Sequence, residues 1–144
     1  MRLLHGLLFR ALAICVALAV LCGCTLLEQR RADNERTAVS TVMQVNTALY
    51  KFRQAHPDSY PKSLAEVPGI DPLINCGQAE CMKAGYRFKY ELLPATSMGP
   101  HYAIQVRPNK YQNTGVRSFY SDESGMVRAT NDDRAASVGD GPVS

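Results

Sequence analysis

From Asn34 to Ala55 the chain alternates apolar and polar residues with a helical period. Val39, Val42, Met43, Asn46, Leu49, Tyr50 and Arg53 fall at i, i+3, i+4, i+7 spacing, and Val45 and Phe52 widen the stripe. Neither Gly nor Pro interrupts this run before Pro57, which ends it. The spacing predicts one long helix with Met43, Tyr50 and Phe52 in the core. His56-Pro57-Asp58-Ser59-Tyr60-Pro61 reads as a loop, and Ser63-Leu64-Ala65-Glu66 as a capping box opening a very short helix. The period then changes to two. Tyr86, Phe88, Tyr90 and Leu92 alternate with Arg87, Lys89 and Glu91, which predicts a half-buried strand with its aromatic face inward. Tyr102, Ile104 and Val106 predict a second strand after a turn over Pro94 to Pro100. Arg117 to Ser121 predicts a third, and Asp122-Glu123-Ser124-Gly125 a tight turn from which Met126 to Ala129 returns. The expected fold is α+β, a long N-terminal helix packed on a small antiparallel sheet, in a single domain over 34–130. Residues 131–144 are small and polar and are expected to form a flexible tail.

The N-terminus is patterned differently. Arg2 and Arg10 flank an uncharged stretch, Ala11 to Leu21. That stretch is shorter than the roughly 20 apolar residues that cross a bilayer, and it has the layout of a secretory signal. It closes on Leu21-Cys22-Gly23-Cys24, which resembles the lipobox of bacterial lipoproteins, with Cys22 a mild departure. The resemblance implies cleavage between Gly23 and Cys24 after residues 1–23. Cys24 then carries lipid, a tether spans 24–33, and the protein meets the membrane through the acylated thiol. At about 0.8 kcal/mol per buried CH₂, two or three acyl chains hold a protein essentially permanently. Thr25 follows the lipidated position. Enteric bacteria favour Asp there for inner-membrane retention, so Thr25 points to the outer membrane. Gly23-Cys24-Thr25-Leu26-Leu27-Glu28 also resembles a prepilin cleavage site, which offers processing at Gly23 as an alternative. The charged run Gln29 to Arg36 that follows does not suit an apolar filament core.

Composition narrows the function. Losing Arg2 and Arg10 lowers the basic count from 16 to 14 against 13 acids, a balance of +1, so nucleic acid is not an expected partner. Once Cys24 is committed to lipid, Cys76 and Cys81 remain as an even pair suited to a disulfide in an oxidising compartment. Two reduced thiols are the alternative. A ring that small adds about 2 kcal/mol by chain entropy. Zinc would need two more ligands, and the spacing of His56 and His101 suggests none. A hydrolase would use His101 as base with Ser97 or Ser118 as nominal nucleophile, but neither serine lies in a nucleophile-elbow motif. Asp122 and Glu123 offer too few oxygens for calcium. No metal or other cofactor is expected.

Three stretches resemble the globular part of type IV pilin-like proteins, including the pseudopilins of type II secretion. These are Tyr60-Pro61-Lys62-Ser63-Leu64, Gly85 to Tyr90, and Gly115 to Arg128, the last being the most specific. The likeness spans roughly Ala38 to Thr130 and is short and non-chemical at each stretch. It implies a pilin-like head, while the missing apolar half-helix implies that polymerisation is lost. The expected function is a non-catalytic, membrane-anchored envelope lipoprotein that meets an envelope protein partner. The alternative is a module for a small ligand or surface polymer, with Tyr60, Tyr86, Tyr102, Tyr111 and Tyr120 as candidate stacking residues and Tyr86 and Tyr102 expected to face inward.

Overall fold

The computed structural model of the chain describes residues 2–70, 74–76 and 81–143, with backbone alone at 2–22, 24, 75 and 76. The Cys24 thiol, the Cys76 side chain and the loop 77–80 therefore lie outside the described residues. The chain divides into two compact units, Met1–Arg30 and Arg31–Ser144. Helix α1 runs Arg2–Ala55. Residues 24–33, expected as a tether, are helical, because Leu27-Glu28-Gln29-Arg30-Arg31-Ala32 are all good helix formers. In the first unit Leu26 and Leu27 are exposed. Among the described residues no helix is long and apolar enough to cross a membrane.

In the second unit α1 is followed by a 3₁₀ turn over Leu64–Glu66 and by seven described strands: β1 Asn75–Cys76, β2 Cys81–Lys83, β3 Tyr86–Thr96, β4 Gly99–Pro108, β5 Ser118–Asp122, β6 Arg128–Thr130 and β7 Gly141–Pro142. They form one antiparallel sheet in chain order, as short local connections favour. The α+β class read from the periodicities holds. The helical face that the sheet buries is Ala38, Val42, Val45 and Leu49, all fully buried. These join Tyr86, Phe88, Tyr102, Ile104, Val106 and Phe119 from the sheet in one core, closed by Leu64, Val67, Ile70 and Ile74. Each such aliphatic contributes on the order of 1.5–3 kcal/mol.

Several boundaries differ from the sequence reading. Met43 and Tyr50 are not core residues. They are 53% and 64% exposed, because the stripe centres on Ala38, Val42, Val45 and Leu49 and leaves them at its edge. The capping box forms only in part. Ser63 makes no side-chain cap, and Glu66 Oε2 accepts from the Lys62 amide at 3.0 Å. The turn expected over 94–100 shrinks to Ser97-Met98, since β3 and β4 stay paired to Thr96 and Gly99. Pro94 has no amide to donate and sits within the register shift between Leu93 and Thr96.

Residues 131–143 are not a loose tail. Arg134 binds Asp140 through Nη1 at 2.9 Å and Nη2 at 2.5 Å, Ala136 is buried, and Val143 N donates to Val127 O at 2.9 Å. The small polar composition hid a local ring closed by that ion pair. Cys81 is disulfide-bonded, and Cys76 is its register partner across β1–β2.

The start of the helical part of this unit is clamped to the loop before β5. Arg31 Nη1 donates to Gln112 O at 3.1 Å and Asn34 Nδ2 to Thr114 O at 2.8 Å. Glu35 accepts from the amides of Val116 and Arg117 at 2.8 and 3.2 Å, and from Arg117 Nε at 2.8 Å. Gly115 belongs to this loop because a Cβ there would overlap the Tyr86 phenol, which donates to Arg117 O. Burial raises the Glu35 carboxyl, but the amide and guanidinium donors outweigh it, and the net value lies below its ordinary 4.5. A depressed folded value stabilises fully above about pH 4.5 and is lost as pH falls through the folded value. We expect Glu35→Gln to cost about 1–3 kcal/mol at pH 7 and to flatten the acid limb of the stability profile. Chemical denaturation at pH 7 and pH 3 checks this, and parallel acid limbs for the two proteins would contradict it.

Candidate functional site

A concave surface lies where the middle of α1 meets the β5–β6 turn. A groove of about 590 Å³ opens there, lined by Met43 and Tyr50 from α1, Tyr60 from the following loop, Tyr102 from β4, and Glu123 and Gly125 from the turn. Its floor is a buried polar network. Tyr102 Oη donates to Asn46 Oδ1 at 3.1 Å, Asn46 Nδ2 donates to Ser121 Oγ at 2.8 Å, and Ser121 Oγ donates to Met126 O at 2.9 Å. Asn46 Nδ2 also lies 3.4 Å from Gly125 O. Helix, sheet and turn thus share one amide. The sequence reading counted Asn46 as a stripe position and missed this role. A polar residue amid Val42, Val45 and Leu49 was the available signal.

Aromatic packing shapes the wall. Tyr60 meets Tyr102 edge-on with centroids 4.7 Å apart, and Arg53 lies over the Tyr60 ring at 5.8 Å. Burial raises the phenols of Tyr60 and Tyr102; the charge of Glu123 adds to both, Arg53 opposes it at Tyr60, and both phenols stay neutral near pH 7. Tyr86 and Tyr102 face inward as expected. Tyr111 is committed to Asn131 O at 2.8 Å, and Tyr120 is partly buried on β5.

Glu123 is held from the side. Its Oε1 is hydrogen-bonded to His101 Nδ1, and His101 Nε2 is bonded to Thr96 Oγ1 at 2.5 Å. His101 therefore pairs with Thr96 and Glu123 and with neither proposed serine. Ser97 is exposed in the β3–β4 hairpin. Ser118 lies one step beyond the Val106–Phe119 pair, six residues along β4 from His101, or about 20 Å at the usual strand rise. His56 stacks on Phe52 at 4.2 Å and binds Phe52 O. The nominal hydrolase constellation does not assemble, and Thr96 and Glu123 gave no motif by which to find them.

Asp122 Oδ1 accepts from the Ser124 amide and hydroxyl, as in an ordinary polar turn. Among the described residues no cluster of three or more His, Cys, Asp or Glu could hold a metal. No family model, no curated protein and no solved structure matches this chain.

Ser118 Oγ is buried and has no hydrogen-bond partner among the described residues. Removing an unpaired buried hydroxyl relieves a desolvation cost of about 1–3 kcal/mol, less the small cavity it leaves. Ser118→Ala is expected to match or exceed the parent in stability by thermal denaturation. A loss above about 1 kcal/mol would mean that the hydroxyl has a partner after all.

Proposed function

We propose that this is a non-catalytic lipoprotein of the bacterial envelope, acylated on Cys24. Its pilin-like head docks an envelope protein through the groove between α1 and the β5–β6 turn. The outer membrane is its station, in keeping with Thr25. The order of helix, Tyr-Pro loop, short helical turn and antiparallel meander supports the pilin-like reading. The observation that carries docking is the pair Met43 and Tyr50, two large side chains standing exposed on the rim of a concave surface. Such concentration of apolar area marks contact surfaces, and tyrosine is favoured in them.

In-cell photo-crosslinking tests this reading. A photoreactive residue at Tyr50 should give one discrete protein adduct in the membrane fraction. The same residue at Lys89, on the outer face of the sheet, should give none. The N-terminal peptide of the purified adduct should start at Cys24 and carry acyl mass. Equal labelling from both positions, or an unmodified N-terminus, would overturn the proposal.

A further inference from the structure

We propose that the groove receives a lysine side chain of the partner protein, with its ammonium on Glu123 and its stem against Met43 and Tyr50. The inference deepens the docking reading and rests on it. The groove has one formal charge, Glu123, and no Lys, Arg or His among the residues that line it. A trough that offers the Met43 and Tyr50 side chains together with a carboxylate fits a long aliphatic side chain with a cationic tip.

The carboxylate also selects between the two basic side chains. His101 Nδ1 occupies Oε1, and Oε2 has no hydrogen-bond partner among the described residues. One free oxygen is a point acceptor. It suits an ammonium, whereas a guanidinium gains most from a carboxylate that offers both oxygens to its fork. Because the far nitrogen of His101 is bonded to Thr96, the imidazole cannot turn away from Glu123 without losing a second bond. The free oxygen is thereby held in place before any partner arrives. A competing cation, Arg53, lies over the Tyr60 ring at the groove wall, where that ring and the His56 carbonyl, to which it donates at 3.2 Å, already hold it.

The test titrates the full-length acylated protein, in a non-ionic detergent, with three acetylated and amidated tripeptides, Gly-X-Gly, where X is lysine, arginine or norleucine. Tyrosine ring shifts in NMR report binding. Lysine should bind about tenfold tighter than norleucine, whose stem is matched and uncharged, with arginine between them. Glu123→Gln should bring lysine and norleucine within about twofold. Arg53→Ala, which removes a like charge near the groove, should tighten lysine and leave norleucine unchanged. Tyr50→Ala sits on an exposed helix face and should weaken all three peptides alike. Equal binding of lysine and norleucine, arginine at or above lysine, a lysine preference that survives Glu123→Gln, or no binding at all would each overturn the inference. A discrete Tyr50 crosslink alongside any of these would leave docking standing with a different occupant.

Discussion

One buried carboxamide sets the geometry of the unit Arg31–Ser144. Asn46 is on α1 in the middle of an apolar face and is almost wholly enclosed. In that position each of its polar atoms must find a partner, because a buried group without one costs about 1–3 kcal/mol. The partners it finds, Tyr102 and Ser121, lie on two adjacent strands, and Ser121 passes the chain of bonds on to the turn at Met126. Hydrophobic burial alone would hold α1 on the sheet over a range of rotations and slides. The Asn46 network accepts one of them, since a shift of a single side-chain position would strand three polar groups together. Specificity of this kind, rather than added stability, is what a fully satisfied buried network contributes.

The same constraint reaches the surface. Fixing the β5–β6 turn against α1 places Glu123 and Gly125 opposite Met43 and Tyr50, and the space left between them is the groove. A second, exposed chain of hydrogen bonds, Thr96 to His101 to Glu123, ties the β3–β4 hairpin to the same turn. At the other end of the helical face, Glu35 holds the loop before β5. Helix, sheet and turn are thus joined at two polar points with a continuous apolar core between them. The wall of the groove belongs to the fold and is not a loop awaiting a ligand.

Much of this was legible in the residues, and the failures have causes. The alternation of Tyr86, Phe88 and Tyr90 with Arg87 and Lys89 identified a one-sided strand, because period two has few competing explanations. The turn at Asp122 to Gly125 was equally plain from its chemistry. The helix stripe was found but rotated, since Met43 and Tyr50 are apolar enough to be counted inside and only the sheet decides that they are not. Glu35, Asn34 and Arg31 read as solvated charge and polarity. Their partners lie some eighty residues away, and no local pattern announces a contact of that range. The ordered 131–143 segment was missed for a related reason, because Arg134 and Asp140 resemble a soluble tail until the ring between them closes. Of the groove, the tyrosines and the acids were visible, and their convergence was not.

Hydrogen exchange on Asn46→Leu is the most direct measurement. The substitution keeps the volume and removes every hydrogen bond the amide makes. If the network places the turn, amide protection should fall chiefly over residues 121–126, at Gly125 and Met126 above all, while the β3–β4 ladder at Phe88 and Val106 stays protected. A uniform loss across the sheet, or an undisturbed turn, would show that apolar packing alone sets the position of α1.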